Sequence, residues 1–159
     1  MTIKVGDNMP EGRFTIMKAD GPGSISSKEL FDGKKVVLFS VPGAFTPTCS
    51  RQHLPGFVEK AAEFEKKGVS IACMAVNDVF VMDAWGKSAH ADGKVTMLAD
   101  GNGDYSRALG LELDASGFGM GKRGQRFALL VDNGKVAKTF IEEAGKFKVS
   151  SAEHVLANL

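Results

Sequence analysis

The sequence predicts an α/β fold with a mixed central sheet, helices on both of its faces, and a β-hairpin and helix at the C-terminal end. Three observations point there. Residues 34–41 (KKVVLFSV) and 69–76 (VSIACMAV) are short runs, the second apolar on both faces like a strand covered from both sides. A long stretch of helical spacing lies between them, which makes a β-α-β unit. Further on, Asn133-Gly134 separates two more strand-like runs, and this dipeptide is the one best suited to a two-residue hairpin turn.

Each element has its own signals. The run 34–41 begins after Asp32-Gly33 and ends at Pro42-Gly43, as a buried strand would. From 48 to 67, Leu54, Phe57, Val58, Ala61, Ala62 and Phe64 recur at three- and four-residue spacings, and Gly68 stands just past the end. Pro55 falls inside this helix and removes a hydrogen bond to the carbonyl of Arg51, which predicts a kink that tilts the first turn. After the strand at 69–76 come a helix at 79–89, a short strand at 95–99 and a short helix at 104–109. Strands at 126–132 and 135–141 flank the hairpin turn. A final amphipathic stretch starts at Ser150 or Ser151, with Glu153 placed for a capping box, and closes with Val155, Leu156 and Leu159. This order is the ground plan of the thioredoxin fold.

A chain of 159 residues has room for one domain, 1–159, and its 43% apolar and 25% charged residues suit an ordinary soluble core. Twenty basic against nineteen acidic side chains leave a net charge of +1, which supplies no field to gather nucleic acid or anionic lipid. The first residues carry no apolar stretch of secretory length, and nowhere do eighteen apolar residues run together. The expectation is a cytoplasmic protein with neither a nucleic-acid nor a membrane partner. Two cysteines in such a chain do not build a disulfide scaffold, so packing or reactivity must account for them.

The segment that carries chemistry is Pro42-Gly43-Ala44-Phe45-Thr46-Pro47-Thr48-Cys49-Ser50. It joins the carboxyl end of a central strand to the long helix, where α/β proteins place their sites. Cys49 falls in or near the first helical turn, where free backbone N–H groups and the positive helix end favour a thiolate. Pro47 suits the opening of the helix because its missing N–H is not needed there.

These residues resemble the active-site signature of the peroxiredoxins. Extended by Gln52-His53-Leu54-Pro55-Gly56-Phe57, the segment is similar to the type II subfamily, which includes the plant type II enzymes and the mammalian atypical form. The likeness continues through Val76-Asn77-Asp78, Trp85, Leu98-Ala99-Asp100-Gly101, Ala108-Leu109-Gly110 and Gln125-Arg126-Phe127-Ala128. It implies that Cys49 is the peroxidatic cysteine, whose thiolate attacks the peroxide and becomes a sulfenic acid. It implies that the Thr46 hydroxyl bonds the thiolate and the peroxide, that Arg126 favours the thiolate and polarises the peroxide, and that Pro42 covers the pocket. A cation and a hydroxyl suit charge moving from sulfur to the leaving oxygen. No cofactor or metal is required.

Without this resemblance the same residues read differently. A lone cysteine is commonly a small buried hydrophobe, Arg126 a solvated surface charge, and Thr46 a helix cap. Cys73 stays open between two readings. It sits mid-strand in an apolar run, as an inert buried thiol would, yet the plant type II pattern has a second cysteine nearby with a proposed resolving role. In the mammalian form the resolving cysteine lies near the C-terminus, where this chain reads Ser150.

Other matches carry less. Gly119-Met120-Gly121-Lys122-Arg123-Gly124 fits a dinucleotide formula but precedes a strand instead of following one, and reads as a flexible loop. Asp100, Asn102 and Asp104 begin like a calcium loop, but Tyr105 and Leu111 stand where glycine and glutamate are needed. His53, His90 and His154 lack metal-ligand spacing and read as surface or helix residues.

The leading expectation is a thiol peroxidase acting on hydrogen peroxide and small organic hydroperoxides. With no obvious internal resolving thiol, the family favours glutathione with glutaredoxin over thioredoxin as reductant, and a homodimer. A thioredoxin-like disulfide oxidoreductase is weakened by Gln52, which stands where C-x-x-C needs its second cysteine. The remaining alternatives are a cysteine hydrolase with His53 or His90 as base, and a non-catalytic interaction module.

Overall fold

The centre of the sheet is β3 (Lys35–Ser40), whose Val36–Val37–Leu38–Phe39 run sends side chains to both faces in turn. The computed structural model describes residues 1–159. The other strands are β1 (Arg13–Lys18), β2 (Gly21–Ser26), β4 (Val69–Ala75), β5 (Thr96–Ala99), β6 (Glu112–Asp114), β7 (Lys122–Gly124), β8 (Phe127–Asp132) and β9 (Lys135–Ile141). The α-helices are α1 (Ser27–Phe31), α2 (Leu54–Glu59), α3 (Ala61–Lys66), α4 (Val79–Ser88), α5 (Asp104–Ala108) and α6 (Ala152–Ala157). Seven strands pair in the order β2-β1-β5-β4-β3-β8-β9, and β6 and β7 form a separate ribbon.

β3 pairs parallel with β4, Val37 opposite Ile71, and antiparallel with β8, Val37 opposite Leu130. Val37 and Phe39 of β3, Ile71 and Cys73 of β4, and Leu130 of β8 therefore share one face, where Leu54, Phe57, Phe64, Trp85 and Val155 cover them. The opposite face gathers Val36, Leu38, Met74, Leu98 and Leu129 with Phe31 and Tyr105. Each fully buried side chain of this size contributes about 1.5–3 kcal/mol. The result is the thioredoxin-like sheet with helices on both faces that the sequence predicts.

Several elements differ from expectation. The hairpin of β1 and β2 and the short α1 have no counterpart in the sequence reading, because Gly21, Pro22 and Gly23 are poor strand formers that only an edge position tolerates. The helix expected over 48–67 is not continuous. Residues Cys49–His53 form a π-helical turn, with the Leu54 N–H donating to the Cys49 carbonyl, and Lys60 separates α2 from α3. Pro55 supplies the physical cause of the first irregularity, since it has no N–H to offer the Arg51 carbonyl. The segment 119–124 is not a flexible loop. Gly119 and Gly121 turn with positive φ, and Lys122–Gly124 pairs with Glu112–Asp114 as a ribbon.

At the far end Ser151, not Ser150, caps α6, accepting from the His154 N–H. Glu153 consequently misses the third helical position, and the expected capping box does not form there. The chain's capping box is at Ser26 and Glu29. Asn133 and Gly134, with φ of 49° and 80°, make the predicted hairpin turn between β8 and β9.

Candidate active site

The carboxyl end of β3 and the amino end of the antiparallel β8 lie at the same edge, because Ser40 pairs with Phe127. The loop leaving β3 carries Pro42, Thr46 and Cys49, and the residue entering β8 is Arg126, so strand pairing brings the two segments together. The Ala44 N–H donates to Asn77 Oδ1 at 2.9 Å and the Val41 N–H to the Met74 carbonyl at 3.2 Å, which fix the loop to β4 and its exit. Trp85 Nε1 donates to Ser50 Oγ at 3.0 Å, anchoring the turn that bears Cys49. Phe45 adopts φ of +63°, a conformation that costs a bulky residue about 1–2 kcal/mol and that the anchored loop imposes.

Cys49 is fully buried, and Arg126 Nη2 donates to its Sγ at 3.0 Å. Arg126 Nη1 lies 2.9 Å from His53 Nδ1. Arginine has only donors, so Nδ1 must accept and the ring proton sits on Nε2, which donates to the Ser150 carbonyl at 3.0 Å. His53 is wedged among Phe39, Phe57 and Phe147, with ring centroids 4.8, 5.7 and 5.0 Å away. Burial and the Arg126 charge lower its pKa to about 3. The guanidinium also lies over the Phe147 ring, 5.7 Å from its centroid, a cation–π placement.

His53 corrects the sequence reading. It does lie in a helical turn, but it is fully buried at the site, not on the surface. Both ring nitrogens are engaged, so it has no lone pair free to serve as the base of a hydrolase. Its placement four residues after Cys49, on the same helical face, was a usable signal. The roles of Phe147, Ser150 and Glu142 had no local signal.

The Thr46 hydroxyl donates to the Gly43 carbonyl at 2.7 Å, so its proton is directed at the loop backbone and its oxygen lone pairs are left for an incoming donor. Its own carbonyl accepts from the Ser50 N–H at 2.9 Å, which starts the helix. Pro42 borders a cleft of about 700 Å³ with Thr48, Phe118, Met120, Arg126 and Phe147, where apolar side chains stand beside charged ones such as Arg126 and Glu142. Cys49 and Cys73 both lie behind this lining, fully buried in one apolar cluster. Both thiols are free, and burial, with Cys49 adding to it, pushes the Cys73 pKa well up. The acidic turn has a structural use: the Asp100 carboxylate accepts from the Tyr105 and Ser106 N–H groups and from Ser106 Oγ, which caps α5.

A buried sulfur held against a cation at the end of a central strand, three residues after a hydroxyl, is an arrangement suited to thiol chemistry. Comparison with known proteins agrees. The redoxin family model matches residues 4–156. Peroxiredoxin-2D of Arabidopsis thaliana is 50% identical over 99% of this chain and 98% of its own length. Peroxiredoxin-2C of Oryza sativa subsp. japonica is 52% identical over the same shares. The crystal structure of reduced Prx3 from Vibrio vulnificus in complex with hydrogen peroxide superposes with a TM-score of 0.95, at 47% identity and 99% coverage of both chains. The chain belongs to the redoxin family and, within it, to the type II peroxiredoxins.

Proposed function

We propose that Cys49 reduces hydrogen peroxide and small alkyl hydroperoxides and is regenerated by an external thiol, with glutathione and glutaredoxin favoured over thioredoxin. The observation that carries this reading is the 3.0 Å hydrogen bond from Arg126 Nη2 to Cys49 Sγ. In the reaction, the thiolate attacks one peroxide oxygen, an S–O bond forms and the O–O bond breaks. The leaving hydroxide or alkoxide takes a proton and departs as water or alcohol, and sulfur becomes a two-electron-oxidised sulfenic acid. Arg126 stabilises charge as it passes from sulfur to oxygen, while the Thr46 oxygen accepts from the peroxide O–H. Pro42 shields the pocket. One external thiol then forms a mixed disulfide and releases water, and a second thiol frees Cys49.

The Phe118, Met120 and Phe147 side chains in the cleft suit hydroperoxides with a short carbon tail, and a homodimer acting in the cytoplasm completes the proposal. Sub-stoichiometric peroxide followed by intact-mass measurement tests the first step, with one added oxygen on Cys49 as the expected product. Turnover with each reductant supplied separately tests the second. A competing reading, a thioredoxin-dependent enzyme that resolves through Cys73, draws on the shared apolar cluster of the two cysteines. It predicts an internal disulfide in the oxidised protein.

A further inference from the structure

We propose that Glu142 is a positioning residue for the Cys49–Arg126 pair, because its carboxylate folds the 143–150 segment that orients both His53 and the Arg126 guanidinium. Glu142 follows β9 directly, and its N–H donates to the Arg126 carbonyl at 3.1 Å, so the two residues are neighbours across the strand pair. Its side chain turns inward and is only 8% exposed. One oxygen, Oε2, accepts from the N–H groups of Lys148, Val149 and Ser150 at 2.8, 2.9 and 2.8 Å and from Ser150 Oγ at 2.7 Å. Its charge takes part in no ion pair. Burial would push this carboxyl up, but the four donors outweigh it and hold the pKa below the ordinary 4.5.

The segment gathered in this way delivers both contacts that orient the arginine from the side away from sulfur. Ser150 presents its carbonyl to His53 Nε2, which leaves the Nδ1 lone pair facing Arg126. Phe147 places its ring under the guanidinium and against the imidazole. Without the carboxylate, three backbone N–H groups and a hydroxyl lose their acceptor, the segment opens, and His53 is no longer held to one tautomer. The guanidinium is then free to turn its Nη2 away from Cys49.

The inference rests on the reading of Cys49 as the attacking thiolate and extends it to a second cleft-lining residue that acts through His53 and Phe147. The test uses the intact protein with Glu142→Gln, which keeps the shape but turns an amide toward the backbone donors, and Ser150→Ala, which removes one donor and keeps the carbonyl. Two quantities are read on folded protein at neutral pH: the stopped-flow rate with hydrogen peroxide and the ¹⁵N resonances of His53. In the wild type His53 is expected to show a protonated Nε2 and an unprotonated Nδ1. Glu142→Gln is expected to slow the reaction about tenfold and to average the two nitrogen signals, with Ser150→Ala slower by about two- to threefold. Should Glu142→Gln fail to fold, Ser150→Ala decides alone. A wild-type rate in the deciding variant, or wild-type His53 signals in folded Glu142→Gln, overturns the proposal, since a merely structural role leaves the His53 tautomer untouched. If the wild-type protein consumes no peroxide, the peroxidase reading fails instead, and the His53 spectra still decide the role of Glu142.

Discussion

Arg126 Nη2 reaches Cys49 Sγ across 3.0 Å although 77 positions separate them in the chain. The other terminal nitrogen of the same fork is held by His53 Nδ1, so the planar group has one orientation and its positive charge faces the sulfur. Charge stabilisation of this kind is worth most when the donor is already aligned before the bond begins to break.

Removal of the sulfur or of its cation is therefore expected to be decisive. Cys49→Ser is expected to abolish peroxide consumption. Arg126→Met, which keeps the volume and loses the donors, is expected to slow the attack by at least about tenfold, in line with ~3 kcal/mol for one lost donor. Stopped-flow rates within twofold of wild type in Arg126→Met would refute the role given to it.

Thr46 is expected to act through its oxygen. Because its proton is committed to Gly43, the hydroxyl is set to accept from the peroxide. Thr46→Val should slow the reaction by at least about tenfold, and Thr46→Ser should restore most of it. Equal rates in the two variants would show that the side chain serves only the loop.

His53 predicts a pH dependence of stability. In the unfolded chain it takes up a proton near the ordinary value of 6.5, and in the folded protein only near 3. Between these values the unfolded state binds the extra proton, so this contribution is complete above about 6.5 and is lost as the pH falls toward 3. Chemical denaturation at pH 7 and pH 4.5 should show a fall of up to about 2–3 kcal/mol from this group. His53→Gln should flatten the difference, and an unchanged slope in that variant would contradict the assignment.

Cys73 is expected to be dispensable when glutathione and glutaredoxin supply the electrons. It is fully buried in β4, opposite Phe39 and Met97, and burial keeps its thiol protonated and a poor nucleophile. Cys73→Ser should lose about 1–3 kcal/mol of stability, because its hydroxyl enters an apolar cluster, and should keep its turnover within twofold. Loss of most activity, together with a Cys49–Cys73 disulfide in the oxidised wild type, would favour the two-cysteine mechanism.

Local patterns made much of the architecture legible. The β3 and β4 runs, the hairpin turn at Asn133-Gly134 and the disturbance caused by Pro55 all follow from side-chain periodicity, positive φ or a missing N–H, which act within a few residues. The edge hairpin of β1 and β2 escaped because its second strand is held by pairing with β1, against the preference of its own Gly-Pro-Gly sequence. The ribbon at Lys122–Gly124 escaped for the same reason, since its partner Glu112–Asp114 lies about ten residues earlier and neither strand is strongly patterned.

By itself, the sequence determined the setting: Cys49 in the first turn after a buried strand, Thr46 and Pro42 in the loop before it, and a family signature around them. Tertiary structure decided everything that approaches the sulfur from elsewhere. Arg126 arrives because β3 and β8 pair antiparallel with Ser40 opposite Phe127, and His53 is neutral because three aromatic rings and an arginine surround it. The Ser150 carbonyl holds His53 across 97 positions, and its hydroxyl holds Glu142. Strand register and burial set those contacts, and neither is encoded in the propensities of the residues that meet.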